Sequence, residues 1–393
     1  MNGYIERQKS ANEFSLTDLP LRPDLRGRVP YGAPQIDAPV RLNTNENPYP
    51  PPSTLVEAMV SAVRSSTGEL HRYPDRNATE LRADLAAYLG HGLTAGHIWA
   101  ANGSNEVLQQ IMQAFGGLGR SAMGFDPSYS VHAIIAATSA TEWISGARDD
   151  DFRLDPDKAV AAIEELRPDI VLLTSPNNPT GEVLDLEVIE RLAAAATGMV
   201  VVDEAYFEFT RPGTPSALSL LASNPRLIVT RTLSKAFGMA GTRLGYLAAH
   251  PAVIEAMELV RLPYHLSAVT QAMARVALAH RDEVLSTVEA VCAERDATAA
   301  WLRGIGLEVL DSDANFLLFG RLPDRHAVWE RLLWRGVLIR EVGPPGWLRV
   351  TIGTAKEMAT FRAELEDVLW SCVREAHGRL GGTSTVPAVS PLA

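Results

Sequence analysis

The chain has 393 residues, 46% apolar and 21% charged, the mixture of an ordinary globular protein and far from the charge-rich profile of disordered chains. With 47 acidic and 36 basic side chains the net charge is −11, and without any run of five Lys/Arg such a surface repels nucleic-acid phosphates and anionic membranes. Two cysteines, Cys292 and Cys372, are too few for a disulfide-stapled secreted framework. Neither the apolar core of a signal peptide nor a membrane-spanning run of about eighteen apolar residues occurs, so a cytoplasmic chain with no membrane or nucleic-acid partner is expected.

Residues 1–52 carry many prolines, among them the run Pro50-Pro51-Pro52, and read as an extended arm. Leu55, Met59, Val60 and Val63 at helical spacing predict a helix over Ser53–Arg64, and a second follows at Thr79–Leu89. Short β-rich runs then alternate with helical stretches: His97–Ala101, Ser121–Phe125, Asp169–Thr174, Met199–Asp203, Leu227–Thr230 and Leu244–Ala248. That alternation predicts an α/β fold with a mostly parallel sheet covered by helices, occupying residues 53–268. Ala252–Arg261 reads as a helix, and Val269–Gly304 lacks proline and reads as a long helical link. Strands at Leu307–Leu310, Phe316–Phe319, Val337–Arg340 and Trp347–Val350, with helices at Ala327–Arg335 and Ala355–Ala376, predict a small α+β domain over 269–380. Residues 381–393 are expected to form a disordered tail.

Four segments carry chemistry. Ala101-Asn102-Gly103-Ser104-Asn105-Glu106 joins a predicted strand to a good helix; the free N–H groups of that helix start can bind a phosphate, or the same residues can serve as a plain cap. Thr174-Ser175-Pro176-Asn177-Asn178-Pro179-Thr180-Gly181 is a rigid turn at the carboxyl end of an apolar strand, a ligand-binding position in open α/β sheets and equally an ordinary structural turn. Val200-Val201-Val202-Asp203 ends a strand on a carboxylate that either caps the next turn or faces a cationic ligand atom. In Thr232-Leu233-Ser234-Lys235-Ala236-Phe237-Gly238, a lysine among hydroxyls and followed by Arg243 is a candidate for a partly enclosed amine of lowered pKa.

Taken together, the Pro-Asn-Asn-Pro-Thr-Gly turn, the Asp203-Glu204-Ala205-Tyr206 strand end 25 residues after Asn178, and Ser234-Lys235 32 residues after Asp203 resemble the fold-type I pyridoxal-phosphate aminotransferases. Within that family, Arg41-Leu42-Asn43-Thr44-Asn45-Glu46-Asn47-Pro48, His71-Arg72-Tyr73-Pro74-Asp75, the Ala240–Tyr246 run and Ser312-Asp313-Ala314-Asn315-Phe316 resemble the histidinol-phosphate aminotransferase branch. The resemblance covers roughly residues 16–375 and implies a large cofactor domain, a small carboxyl-terminal domain and an amino-terminal arm. It implies pyridoxal 5'-phosphate as cofactor, with no metal. Catalysis would fall to Lys235, as covalent anchor and proton carrier, to Asp203 against the pyridinium nitrogen, and to Tyr206 with Asn178 at the ring hydroxyl. Tyr129 would stack on the ring, and Ser104, Asn105, Thr232, Ser234 and Arg243 would hold the phosphate. Tyr31, Asn45, Arg340 and Arg349 would meet the substrate. Tyr73 would reach the cofactor site of a neighbouring subunit, making a homodimer with shared sites. The implied substrates are histidinol phosphate, glutamate and 2-oxoglutarate. An aromatic (phenylalanine) aminotransferase and a phosphothreonine decarboxylase share the same anchoring motifs and stay open, whereas a transcriptional regulator would need a DNA-binding domain for which the proline-rich arm is too short.

Overall fold

The structure, a computed structural model, describes residues 15–30 and 32–379, with side chains as far as Ser371. The first fourteen residues, Tyr31 and the expected tail at 381–393 lie outside the described residues. Through residues 15–52 the chain makes only short 3-10 turns and the two-residue strand β1 (Val40–Arg41), as its prolines require. Helices α1 (Ser53–Thr67) and α2 (Thr79–Leu89) follow, then strand β2 (Ile98–Ala101), α3 (Ser104–Phe115), β3 (Ser121–Asp126), α4 (Val131–Thr138), β4 (Glu142–Ala147), α5 (Pro156–Leu166), β5 (Ile170–Thr174), α6 (Leu186–Ala195), β6 (Met199–Asp203), β7 (Leu227–Thr232) and β8 (Gly245–Ala249).

Strands β2 to β8 form one seven-stranded sheet in the order β2-β8-β7-β6-β5-β3-β4. All neighbours pair in parallel except β8, which runs antiparallel to both β2 and β7. The inner strands are buried on both faces, which is why they read as unbroken apolar runs. Alternate residues serve opposite sides: Val171, Leu173, Val200 and Val202 belong to one core with Leu55, Leu81 and Leu85 of α1 and α2, and Ile170, Leu172, Met199 and Val201 to another with Val107, Leu108 and Ile111 of α3.

Beyond the sheet come α7 (Pro251–Val260), α8 (Ala268–Ala279), α9 (Arg281–Gly304), β9 (Glu308–Val309), β10 (Phe316–Gly320), α10 (Arg325–Trp334), β11 (Val337–Leu338), β12 (Leu348–Thr351) and α11 (Ala355–Arg379). The long helical link expected over 269–304 is two helices, divided at His280. Ala274, Ala277 and Leu278 of α8 pack into the first core, whereas Val291, Ala299 and Leu302 of α9 join a third core with Phe316, Phe319, Val350 and Phe361. The expected division at 268/269 therefore falls inside the first core, because α8 buries its apolar face there. Strands β12-β10-β9 form a small antiparallel sheet, and β1 of the arm pairs in parallel with β11. No helix among the described residues is long and apolar enough to cross a membrane.

Candidate active site

Strands β5, β6 and β7 end side by side at Thr174, Asp203 and Thr232, the carboxyl edge at which open parallel sheets bind ligands. Their ends, the arm residues 43–45, the start of α3 and residues Arg340, Val342 and Arg349 line one cavity. The Ala205–Tyr206 turn packs into the third core, with the Tyr206 ring edge-on to Phe316 at 5.1 Å. The cavity thus lies between the large sheet and the small one.

Lys235 projects its amine into this space from the loop after β7 and donates a hydrogen bond to the Thr44 carbonyl at 2.8 Å. Burial lowers the amine to about 8, helped by Arg349 and Arg243 and opposed by Glu46. Asp203, 2% exposed, accepts hydrogen bonds from the Ala205 N–H at 3.2 Å and the Thr230 hydroxyl at 3.1 Å. Its other oxygen lies 3.4 Å from Nε2 of His132, a buried histidine of α4 whose ring meets Tyr129 edge-on at 5.3 Å.

At one end of the cavity the sequence builds an anion cradle. Gly103, with φ +86°, turns the chain from β2 into α3, and a Cβ there would come within 2.5 Å of Arg243 Nη2; only glycine lets the guanidinium approach the helix start so closely. Gly245 of β8 is equally constrained, since a Cβ would sit 2.0 Å from the Ser104 nitrogen. Around the free N–H groups of this helix start stand Ser104, Asn105, Thr232, Ser234 and Arg243. Arg243 Nη1 donates to Ser234 Oγ at 3.4 Å.

Arg340 and Arg349 exchange both backbone hydrogen bonds across an isolated antiparallel bridge, at 3.0 and 2.9 Å. Directly opposed residues share a face, and like charges there repel; both side chains line the cavity, so an anion bound between them would relieve that repulsion. Arg349 is 6% exposed and donates from Nη1 to Asn178 Oδ1 at 2.6 Å and from Nη2 to the Asn43 carbonyl at 2.9 Å.

Residues 38–365 match the aminotransferase class I and II family. The chain belongs to that family. The histidinol-phosphate aminotransferase of Thermobifida fusca is 65% identical over 352 residues, 90% of this chain and 96% of that one. The enzyme of the same name from Mycolicibacterium smegmatis is 54% identical over 389 residues, 98% of this chain and 99% of its own. Among solved structures, histidinol-phosphate aminotransferase from Sinorhizobium meliloti in complex with pyridoxal-5'-phosphate superposes with a TM-score of 0.78 at 27% identity, over 86% of this chain and 92% of that one. The fold is that of a fold-type I aminotransferase.

Of the residues the sequence singled out in this aminotransferase, Lys235, Asp203, Tyr206, Ser104, Asn105, Tyr129, Asn178, Thr232, Ser234, Arg243, Asn45, Arg340 and Arg349 all line the cavity. Tyr31 lies outside the described residues. Tyr73 does not line the cavity of its own chain; it is 79% exposed and stacks on Tyr264 at 4.3 Å. Two features escaped the sequence reading. His132 behind Asp203 carries no motif, because a lone histidine in an apolar helix looks like any core residue. The buried pair Glu204–Arg231 is the other: Glu204 accepts from Arg231 Nε and Nη2 at 3.0 and 2.7 Å, from Ser216 Oγ and from the Ala217 N–H. Burial alone would lower the Arg231 guanidinium, but Glu204 and Glu208 hold it above its ordinary value. This pair lies opposite Asp203 and Thr230 on the same two strand ends, β6 and β7, and its signal in the sequence is only a charged residue adjoining an apolar run.

Proposed function

We propose that this aminotransferase exchanges an amino group between histidinol phosphate and 2-oxoglutarate, forming imidazole acetol phosphate and glutamate and running in the biosynthetic direction in reverse, with pyridoxal 5'-phosphate as cofactor. The donor set fits that cofactor: an anion cradle at one end, a buried carboxylate at the floor, two polar side chains, Asn178 and Tyr206, on one flank, and a lysine amine of lowered proton affinity facing them. When bound, the cofactor supplies an electron sink for the charge left when the substrate carbon loses its proton.

The rest of the chemistry belongs to the chain's own groups. Lys235 would hold the cofactor covalently, and its amine, of lowered proton affinity, would be able to take and return a proton. Asp203, held by Thr230 and the Ala205 N–H, would keep a proton on the ring nitrogen. Ser104, Asn105, Thr232, Ser234 and Arg243 would hold the phosphate through charge-assisted hydrogen bonds, and Tyr129 would cover the ring. Arg340 and Arg349 would bind the anionic end of either substrate, the carboxylates of glutamate or the phosphate of histidinol phosphate. This facing pair of arginines across from Lys235 is the observation that carries the substrate reading, joined to the names of the relatives.

Tyr73 would act in the site of a second copy, since its exposed ring does not line its own chain's cavity and stacks on Tyr264 of the loop after α7, each with an exposed leucine close by in the chain, Leu70 and Leu262. The reading is of a homodimer with shared sites, acting in the cytoplasm. The test is a half-reaction assay: cofactor absorbance is followed while histidinol phosphate, phenylalanine, aspartate and phosphothreonine are added separately. Fastest conversion with histidinol phosphate is expected. Preference for phenylalanine, or carbon dioxide release from phosphothreonine, would overturn the assignment.

A further inference from the structure

Helices α10 and α11 cover the third core side by side. Val328 and Leu332 of α10, with Phe361, Leu365 and Val368 of α11, are buried in it. Across the seam Arg331 donates to Ser371 Oγ at 2.9 Å, and Arg335 pairs with Glu364 at 2.8 Å and with Asp367 at 3.3 Å. Residue numbers rise on one helix as they fall on the other, so the two run antiparallel. Trp334 stands two residues beyond buried Leu332, and Trp370 two beyond buried Val368. Two residues are about 200° of helical turn, so each indole points away from the core, and Trp334 and Trp370 are 84% and 61% exposed. The same register brings them within about 3 Å of one level along the helices, on axes about 8–10 Å apart. They therefore flank one shallow groove over the seam.

The other five tryptophans are buried or half-buried, as aromatic side chains of this size ordinarily are. Two exposed indoles on one face mark a surface that something covers, and the chain itself carries a segment of matching chemistry. Residues 380–393 hold no Asp, Glu, Lys or Arg in a chain that is 21% charged, unlike the charge-rich composition that keeps a segment solvated. Pro387 and Pro391, set among Val386, Ala388, Val389 and Leu392, bias the segment to a polyproline II course. Such a course suits aromatic-lined grooves, because prolines pack on indole faces and indole N–H groups donate to its open carbonyls. Between the two tryptophans Arg335 is already paired with Glu364 and Asp367, which favours an uncharged occupant over a charged one. We propose that residues 386–392 dock in the groove between Trp334 and Trp370 of the same chain, in place of the disordered tail that composition alone suggests.

The reach fits. Helix α11 runs nine residues past Trp370 to Arg379, about 14 Å, and about five extended residues would retrace it. Gly381 and Gly382 would permit the reversal, and by Val386 the chain would be back at the level of Trp370. The seven residues from Val386 to Leu392 span about 20 Å at the polyproline II rise, enough to cross from α11 to α10.

Amide hydrogen exchange of the intact protein, followed in fragments covering residues 383–393, tests the proposal against a free synthetic peptide of residues 380–393. The segment in wild type should exchange about tenfold or more slowly than the peptide. Trp334→Ala and Trp370→Ala, at exposed positions outside the catalytic cavity, should each bring it to within about twofold of the peptide and leave transamination unchanged. Replacing Pro387 and Pro391 together by glycine should do the same with both indoles in place. Deleting residues 380–393 should raise the quenching of tryptophan fluorescence by acrylamide, and Trp334→Ala with Trp370→Ala should remove that rise. Wild-type exchange at the peptide's own rate would overturn the proposal. Protection that survives in both tryptophan variants would overturn it too, because the segment would then lie elsewhere. So would shielding of the tryptophans that outlasts the deletion and grows with protein concentration, which would give the groove to a second copy.

Discussion

The lysine at the centre of the site should cost the cofactor-free protein stability, because burial disfavours its charged form. Burial, with Arg349 and Arg243 nearby, brings the Lys235 amine from 10.5 to about 8. At about 1.4 kcal/mol per pH unit that is a penalty of roughly 3 kcal/mol for charging the amine in the folded state. The amine faces an open cavity and donates to the Thr44 carbonyl, so water and that hydrogen bond reduce the expected net effect to about 1–2 kcal/mol. Lys235→Met keeps the stem and removes the charge; it should abolish transamination yet stabilise the cofactor-free protein by that amount near neutral pH. The sign with pH is fixed. Below about 8 both folded and unfolded amines are charged and the gain is full. Between about 8 and 10.5 the unfolded chain binds a proton that the folded one lacks, so wild-type stability rises with pH and the gain shrinks; above 10.5 it vanishes. Urea unfolding of wild type and Lys235→Met across this range measures it. A variant less stable than wild type at neutral pH, or a difference that stays flat through the window, would refute the reasoning.

Gly245→Ala would force a Cβ to within 2.0 Å of the Ser104 nitrogen; because that neighbour is backbone, the turn into α3 must move, and cofactor affinity measured by equilibrium dialysis should fall by about tenfold or more with a loss of about 1–3 kcal/mol in stability. Unchanged affinity would detach the helix start from the phosphate. Arg231→Met leaves Glu204 buried with only Ser216 and Ala217 for partners and should cost about 3–5 kcal/mol in urea unfolding; adding Glu204→Gln should restore part of it, and a single variant as stable as wild type would mean the pair is not desolvated as the structure has it. For assembly, mixing inactive Lys235→Ala with inactive Tyr73→Ala under subunit exchange should recover up to about a quarter of wild-type activity, since about half the dimers would be mixed and each would carry one good site of two. No recovery despite demonstrated exchange would confine Tyr73 to its own chain.

What the sequence made legible is what short-range chemistry dictates. Strands β5 and β6 are buried on both faces and so announce themselves as apolar runs, and their ends carry the Asn178 turn and Asp203 within a few residues of the run. Edge elements are different: β4 mixes exposed and half-buried residues with none buried, and Glu142, Ser145 and Gly146 within it give no apolar run to find. The division of α8 from α9 at His280 was equally hidden, since no proline or glycine marks it and only the two separate cores on either side require it. The antiparallel course of β8 leaves no trace in composition, because a strand buried on both faces reads alike in either direction.

Within the site the same limit takes a sharper form. Lys235, Asp203 and Arg243 are recognised by the groups next to them in the chain, but the direction of a hydrogen bond is decided by groups far away in it. Asn45 occupies a segment that invites a substrate contact. Its amide is turned by Thr351, 306 residues later, and its donor is aimed at Tyr206, 161 residues later. Asn178 is turned by Arg349, 171 residues on. Tyr206 therefore receives its orientation from the arm and from β12 of the small sheet, although its own segment belongs to the large one. How these amides are turned is a property of how the two sheets and the arm meet, and a shift of β12 relative to β6 would move Arg349 with Thr351.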